Sequence, residues 1–244
     1  AFETGFHQTI ADAQRYYATP RKWADQFQVK KWGFHGASHQ FIGERMQQLL
    51  SGQEPRVISC HLGGSNSLCA MRDGISVANT LGMSPQTGIP HNNRVGDFDP
   101  FAIPIVMRET GQSLEEVLDD LANQSGLLGL SGISGDCRDL EVAAAAGNQD
   151  AQLALDVFVA EIRRHLGGLL VQLGGAEAIV FTGGIGENGA AIRAAVCERL
   201  SELGIILDAE RNQSGNKEML VSTDSSKVQI WVVPTNEEIV VARQ

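Results

Sequence analysis

A short apolar run at 178–181 leads directly into Thr182-Gly183-Gly184-Ile185-Gly186-Glu187-Asn188-Gly189, and a helix-compatible stretch at 190–203 follows without a break. A buried strand, a glycine loop and a helix in that order bring backbone N–H groups against an anion or a nucleotide: glycine permits close approach, and the first turn of a helix has unpaired donors. Gly184, Gly186 and Gly189 also satisfy GxGxxG, and Asp208 follows about 20 residues on, the spacing of a dinucleotide site. An NAD-binding Rossmann oxidoreductase is therefore one reading of this loop. Against it, too little chain follows Gly189 to complete a doubly wound sheet.

The segment before it has a different texture. Three apolar runs, 56–62, 66–72 and 75–80, are separated by Gly63-Gly64-Ser65 and by Arg72-Asp73-Gly74, and Asp-Gly between apolar runs predicts a hairpin. Three antiparallel strands followed by helices and parallel strands make an α/β chain with a mixed sheet. Helices are expected at 9–18, 20–28, 38–50, 99–110 and 114–123, the last opened by a capping box of Ser113 and Glu116. Others are expected from about Asp136, at 190–203, and at 150–173, where Leu155, Phe158, Ile162, Leu166, Leu169 and Leu173 form a core-facing stripe. Ala1-Phe2 reads as a strand remnant, 205–207 and 228–233 as strands, and Thr235 with Glu238 as the cap of a last helix. Residues 82–100, rich in Gly, Pro and Asn, form a long polar loop of the kind that carries function.

Charge narrows the partners. With 19 Lys+Arg against 29 Asp+Glu the formal net charge is −10, and no basic cluster offsets it, so nucleic acid and anionic membrane are poor partners. Cys60, Cys69, Cys137 and Cys197 lack metal-site or CxxC spacing, which suggests reduced thiols and a cytoplasmic protein. The sequence opens on Ala-Phe-Glu-Thr without methionine and reads as an interior start.

Three further groups could carry chemistry. The turn His61-Leu62-Gly63-Gly64-Ser65-Asn66-Ser67 can present N–H donors to phosphates, although an ordinary hairpin turn has the same composition. His35 and His39 are four apart, a metal spacing without a third ligand nearby, so a core histidine or a phosphate-contacting imidazole is the better reading. Arg94 shares the polar loop with Asp97 and Asp99, and is either a surface ion pair or an anion ligand.

Taken in order, Phe2-Glu3-Thr4 with Phe6-His7-Gln8-Thr9, Gly33-Phe34-His35-Gly36-Ala37-Ser38-His39, His61-Leu62-Gly63, Arg94 with Gly96-Asp97 and Asp99-Pro100, residues 134–139, residues 181–188 and Asn236-Glu237-Glu238 resemble the acetate kinase family. The resemblance covers essentially the whole chain. It implies an actin-like, ribonuclease H-like ATPase fold and reversible transfer of the ATP γ-phosphoryl group to acetate or a similar short carboxylate, with Mg2+, in a homodimer. It implies that 1–53 is the remnant of an interdomain region and the start of the second domain, that 54–244 is the nucleotide-binding C-terminal domain, and that an N-terminal domain needed for activity is absent. A catalytically silent nucleotide-binding or dimerisation domain is the alternative. By the same resemblance Glu3, His35 and Arg94 are catalytic. His61, Leu62, Gly63, Gly64 and Ser65 form a phosphate loop, Asp136, Cys137 and Arg138 lie beside adenosine, Gly184, Ile185, Gly186, Glu187 and Asn188 form an adenosine loop, and Glu237 is the magnesium-associated residue. Three departures surround the phosphates: Glu3 stands for the family's aspartate, Gly64-Ser65 for Asn-Gly, and His91-Asn92-Asn93 for Met-Gly-Thr.

Overall fold

The computed structural model describes residues 2–50, 54–214 and 217–242. Ala1, half of the expected strand remnant, lies outside them, and Phe2 begins a helical turn, Phe2–Gly5, instead of a strand. Six strands form one mixed sheet: β1 (Arg56–His61), β2 (Ser67–Arg72), β3 (Ile75–Asn79), β4 (Ala178–Thr182), β5 (Met219–Leu220) and β6 (Gln229–Val232), in the order β3-β2-β1-β4-β6-β5. The hairpin unit β1-β2-β3 is antiparallel, while β1 pairs parallel with β4 and β4 parallel with β6. Asp73 and Gly74 turn β2 into β3 with φ of 49° and 70°, the left-handed pair that a two-residue hairpin turn requires. Residues 205–207 contribute only bridges, Ile205 to Val228 and Leu207 to Ser222, and the edge strand β5 was not expected.

Both faces of the sheet are covered, so alternate residues of each strand enter different cores. Ile58, Cys60, Ile179, Phe181 and Ile230 pack against the long helix Gln149–Leu173, whose predicted stripe from Leu155 to Leu173 is buried throughout. Val57, Cys69, Met71, Ala178 and Val180 face the helix Gly36–Leu49 through Ile42 and Met46. The Ser113–Glu116 capping box forms as expected. Thr235 does not act as a cap: its hydroxyl donates to Ser38 Oγ at 3.0 Å, and the last helix begins at Glu237.

The topology removes the dinucleotide reading. β1, the parallel neighbour of β4, is the first strand of an antiparallel hairpin unit, and Asp208 Oδ1 accepts from the backbone N–H of Glu210 and Arg211, capping the helix Ala209–Ser214. The glycine loop is itself corrected, being a six-residue helix, Gly183–Asn188. Gly183 has φ 76°, and a Cβ there would lie 2.7 Å from the Leu62 carbonyl, so this residue must be glycine for the two loops to touch.

A buried arginine pins that short helix from behind. Arg193, 1% exposed, donates to the carbonyls of Gly186, Glu187 and Asn212 and to Asn212 Oδ1, at 2.7–2.9 Å. Arg193→Met should fill similar space but leave these buried acceptors unpaired, lowering unfolding free energy by about 2–4 kcal/mol in urea titrations. A change within about 0.5 kcal/mol would show that the clamp contributes nothing.

Candidate active site at the carboxyl edge of the sheet

Three parallel strands deliver the candidate residues to one edge. β1 ends at His61 and opens the 62–66 turn, β4 ends at Thr182 and opens the Gly183–Asn188 helix, and β6 leads through Thr235 to Glu237. His61 and Thr182 are register partners, which brings the two loops face to face. The Leu62 carbonyl accepts from Ile185 N and Gly186 N at 2.8 and 3.0 Å, and a Cβ on Gly63 would lie 3.8 Å from Gly184 N. Ligands of open α/β sheets bind in such a crevice beyond the carboxyl ends of parallel strands.

Between the loops lies a cleft of about 440 Å³, lined by Gly63, Gly64, Asn92, Asp136, Cys137, Arg138, Glu141, Gly184, Ile185, Asn188 and Gly189. Most of the expected cofactor-binding residues thus share one cavity. Leu62 does not: its side chain is fully buried in the core, and its carbonyl is what serves the loop. Gly186 is also buried, and a Cβ there would press on the Phe181 backbone at 3.3 Å, so its glycine is for packing. At Gly184, in contrast, a Cβ meets nothing within 4 Å. Glu187 turns back, accepting from Gly183 N at 3.0 Å and Thr235 N at 3.4 Å, which ties the loop to the segment that carries Glu237. Asp136 caps its helix and pairs with the exposed Arg138 at 2.5 Å. A separate cleft of about 300 Å³ beside Tyr17, Lys31, Asp97 and Arg164 contains none of the expected site residues, only the motif residues Gly33 and Asp97.

Around the 61–67 turn stand His35, His61, His91 and Arg94. The His35 and His61 rings stack with centroids 4.3 Å apart. His35 occupies the position before the helix Gly36–Leu49 with φ 57°, an uncommon conformation for a residue with a side chain, and its N–H donates to Glu3 Oε2 at 2.8 Å. The preceding Phe34 carbonyl is held by His7 Nε2 and Asn79 Nδ2 at 2.9 and 3.2 Å. His35 Nδ1 meets Ser67 Oγ at 2.8 Å, and His61 Nδ1 meets Ser38 Oγ at 2.8 Å. Burial, with neighbouring imidazoles and Arg94, pushes the His35 pKa down to about 2; burial alone pushes His61 down to about 4. These rings are therefore neutral at pH 7.

Arg94 makes no ion pair with Asp97 or Asp99. Asp97 pairs with Arg164 at 2.9 Å, Asp99 caps the turn at Phe101, and Arg94 Nη1 donates to the Pro85 carbonyl and Ser65 Oγ at 3.0 and 3.2 Å. Held this way, its remaining donors are free of carboxylate competition among the described residues. His39 is likewise no metal ligand but a fully buried ring bonded to Ser59 and Ser67, and no group of three or more metal-ligating side chains occurs among the described residues. Glu237 faces Glu3 closely enough that burial and then the Glu3 charge raise its pKa.

Sequence reasoning missed Ser59 and Glu141, and it reached Ser38, Ser67 and Asn92 only as members of motifs, without a role for any of them. Ser59 and Ser67 had a signal: hydroxyl residues at inward positions of otherwise apolar strands, opposite histidines one turn apart on a helix. Asn92 stands out in the sequence only as part of a departure from the family pattern. It lines the cleft and its Oδ1 is buried without a partner, and its backbone joins Gly64 to Leu128.

A mixed sheet between helical layers, with glycine loops converging at the ends of its parallel strands, defines an actin-like ATPase fold. Residues 1–243 match the family model described as the Acetokinase family, and the chain belongs to that family. Among relatives, it is 42% identical to the acetate kinase of Shouchella clausii (strain KSM-K16) over 99% of this chain and 62% of that protein, and 44% identical to the acetate kinase of Acholeplasma laidlawii (strain PG-8A) over 99% and 61%. The crystal structure of Porphyromonas gingivalis acetate kinase superposes with a TM-score of 0.95 at 34% identity, over 99% of this chain and 61% of that one. A propionate kinase from Francisella tularensis subsp. tularensis SCHU S4 gives 0.93 at 34%, over 99% and 62%. The chain thus spans about 62% of the length of the relatives it matches.

The buried neutral histidines predict an acid-sensitive fold. His7, His61 and His91 fall from 6.5 to about 4 on folding, chiefly by burial. Above pH 6.5 neither state is charged at these rings; below it the unfolded chain binds protons first, so stability is lost as pH falls from about 6.5 toward 4. Urea unfolding at pH 7.5 and 5.5 should show a loss corresponding to more than one proton. Equal stabilities would contradict neutral burial.

Proposed function

We propose that the protein to which this chain belongs transfers the γ-phosphoryl group of ATP to acetate or a similarly short carboxylate, reversibly and with Mg2+. The observation that supports this best is the convergence at one sheet edge of a nucleotide-sized cleft, bounded by Gly63, Gly64 and Gly184, with the His35–His61 stack and Arg94 at its phosphate-loop end. Family membership adds to it. In the reaction a carboxylate oxygen attacks the γ-phosphorus, the bond to the β–γ bridging oxygen breaks, and ADP leaves with that electron pair. Charge spreads over the three equatorial oxygens, and positioned donors do most of the work.

Each residue then has a physical task. Gly63 and Gly64 let the 62–66 backbone approach phosphate oxygens, and Gly184 keeps the cleft open for the nucleoside. Ser65 orients Arg94, whose guanidinium stabilises the equatorial charge. His35, neutral and stacked on His61, contributes hydrogen bonding without a fixed charge. Glu3 holds the strained His35 turn through its backbone N–H, a contact for which its extra methylene supplies reach. Glu237 and Glu3 offer two hard oxygen donors, a set that fits Mg2+ binding by one or two carboxylates plus substrate phosphates. The metal would supply charge neutralisation of those phosphates.

The same reading makes residues 1–53 the remnant of the interdomain region and the start of the second domain, and 54–244 the nucleotide-binding domain. It implies a cytoplasmic homodimer, supported by four free, buried cysteines and by exposed Phe101, Ile105 and Leu118 on neighbouring helices. Among the described residues no helix is long and apolar enough to cross a membrane.

The reading is tested by acyl phosphate formation, trapped as hydroxamate, from ATP with acetate or propionate, using the chain alone and with the N-terminal region of a relative supplied. Gly184→Leu should leave the fold intact, because its side chain enters open space, and should weaken ATP binding at least tenfold by calorimetry. Undiminished ATP affinity in that variant, or no acyl phosphate in the supplemented assay, would overturn the proposal.

A further inference from the structure

A line of alternating hydroxyls and imidazoles runs from the middle of the sheet to the cleft. His39 Nδ1 lies 3.0 Å from Ser59 Oγ, His39 Nε2 lies 2.8 Å from Ser67 Oγ, and His35 Nδ1 lies 2.8 Å from the same Ser67 Oγ. Ser59, Ser67 and His39 are fully buried, so no solvent can complete their hydrogen bonding. The strand period explains the placement. Val57, Ser59 and His61 point to one face of β1, Ser67, Cys69 and Met71 to the same face of β2, and the helix Gly36–Leu49 presents its residues opposite them.

We propose that Ser59, His39 and Ser67 act as positioning residues, a proton-ordered ladder that holds His35 as the tautomer with its proton on Nε2. Proton counting sets the direction. A serine hydroxyl has one proton, and Ser67 Oγ receives two imidazole nitrogens, so one of the two must bring its own N–H. Ser59 decides which. Its Oγ has no partner but His39 Nδ1 among the described residues; were Nδ1 protonated, the Ser59 proton would be buried without an acceptor. Ser59 therefore donates to His39 Nδ1, and the His39 proton resides on Nε2 and is donated to Ser67. The Ser67 proton is then given to His35 Nδ1, which leaves the His35 proton on Nε2. The ladder requires uncharged rings, and burial holds His39 well below its ordinary pKa.

Two neighbouring rings are set the same way by separate devices. Thr235 donates to Ser38, whose proton is then available to His61 Nδ1, and the Asn66 N–H donates to His91 Nδ1 at 2.8 Å. A Cβ on Gly63 would lie 3.9 Å from His61 Nε2, which puts that nitrogen at the phosphate loop. Neutral imidazoles with Nε2–H are donors suited to an anionic oxygen, whereas the opposite tautomer would present a lone pair and repel it. That use of the donor rests on the phosphoryl-transfer reading; the tautomer does not.

The ladder is read by long-range 1H–15N correlation of the histidine side chains in the 15N-labelled chain at pH 7.5, with His35 assigned from the signals lost in His35→Gln. His35 and His39 should each appear as a single Nε2–H tautomer. In Ser59→Ala the terminal donor is gone, so His39 loses its bias and the His35 nitrogens should move toward averaged shifts while the backbone amide spectrum retains the fold. A serine that only fills space would not shift a ring two hydrogen bonds away. Should Ser59→Ala fail to fold, Ser59→Cys, with a weaker donor, should give a smaller displacement in the same direction. A proton on His35 Nδ1 in the unsubstituted chain, or unmoved His35 signals in the folded Ser59 variant, would overturn the ladder. An Nε2–H tautomer without acyl phosphate formation would instead remove the kinase reading and leave the ladder standing.

Discussion

Parallel pairing of β1 with β4 is the interaction on which the rest of the site depends. With His61 beside Thr182 in register, the two strands end together, and the turns that follow have no route except toward each other. The Leu62 carbonyl then accepts two N–H groups from the Gly183–Asn188 helix, and Gly183 permits that approach because any side chain there would strike the same carbonyl. Arg193 and Glu187 hold the helix from the other side. The cleft is the space left between loops fixed in this way, so its shape follows from strand register.

A second constraint comes from polarity. The face of the sheet toward the helix Gly36–Leu49 is apolar at one end, where Val57 and Met71 pack on Met46 of that helix, and becomes a seam of serines and histidines toward the 61–67 turn. Such a seam is tolerable only if each group is paired and uncharged. Imidazole meets both demands at neutral pH, and it pairs with serine hydroxyls as either donor or acceptor. The polarity that destabilises the fold in acid is thus the same polarity that carries the hydrogen bonds beside the 61–67 turn.

Much of the architecture was legible in the sequence because it rests on local patterns: Asp73-Gly74 for the hairpin, the 150–173 stripe for the long helix, the Ser113–Glu116 box for a helix start. The glycine motif was legible as a site but not in its parts. Nothing local distinguishes Gly184, which faces the cleft, from Gly183, since the difference is made by the Leu62 carbonyl far away in sequence. Thr235 matched a capping box by spacing, yet Ser38, almost two hundred residues earlier, took its hydroxyl. Arg94 could be read two ways until the partners of Asp97 and Asp99 were known. Long-range hydrogen bonds, which leave no periodic trace, account for most of what the sequence withheld.

The proposed function requires that the edge where β1 and β4 end receive the nucleotide. Hydrogen–deuterium exchange of this chain with and without ATP and Mg2+ reads that edge residue by residue. Slower exchange is expected at residues 62–66, 136–138 and 183–189, with no change beside Tyr17, Lys31 and Arg164. Protection confined to that second cleft, or none at the glycine loops under saturating ATP, would contradict it.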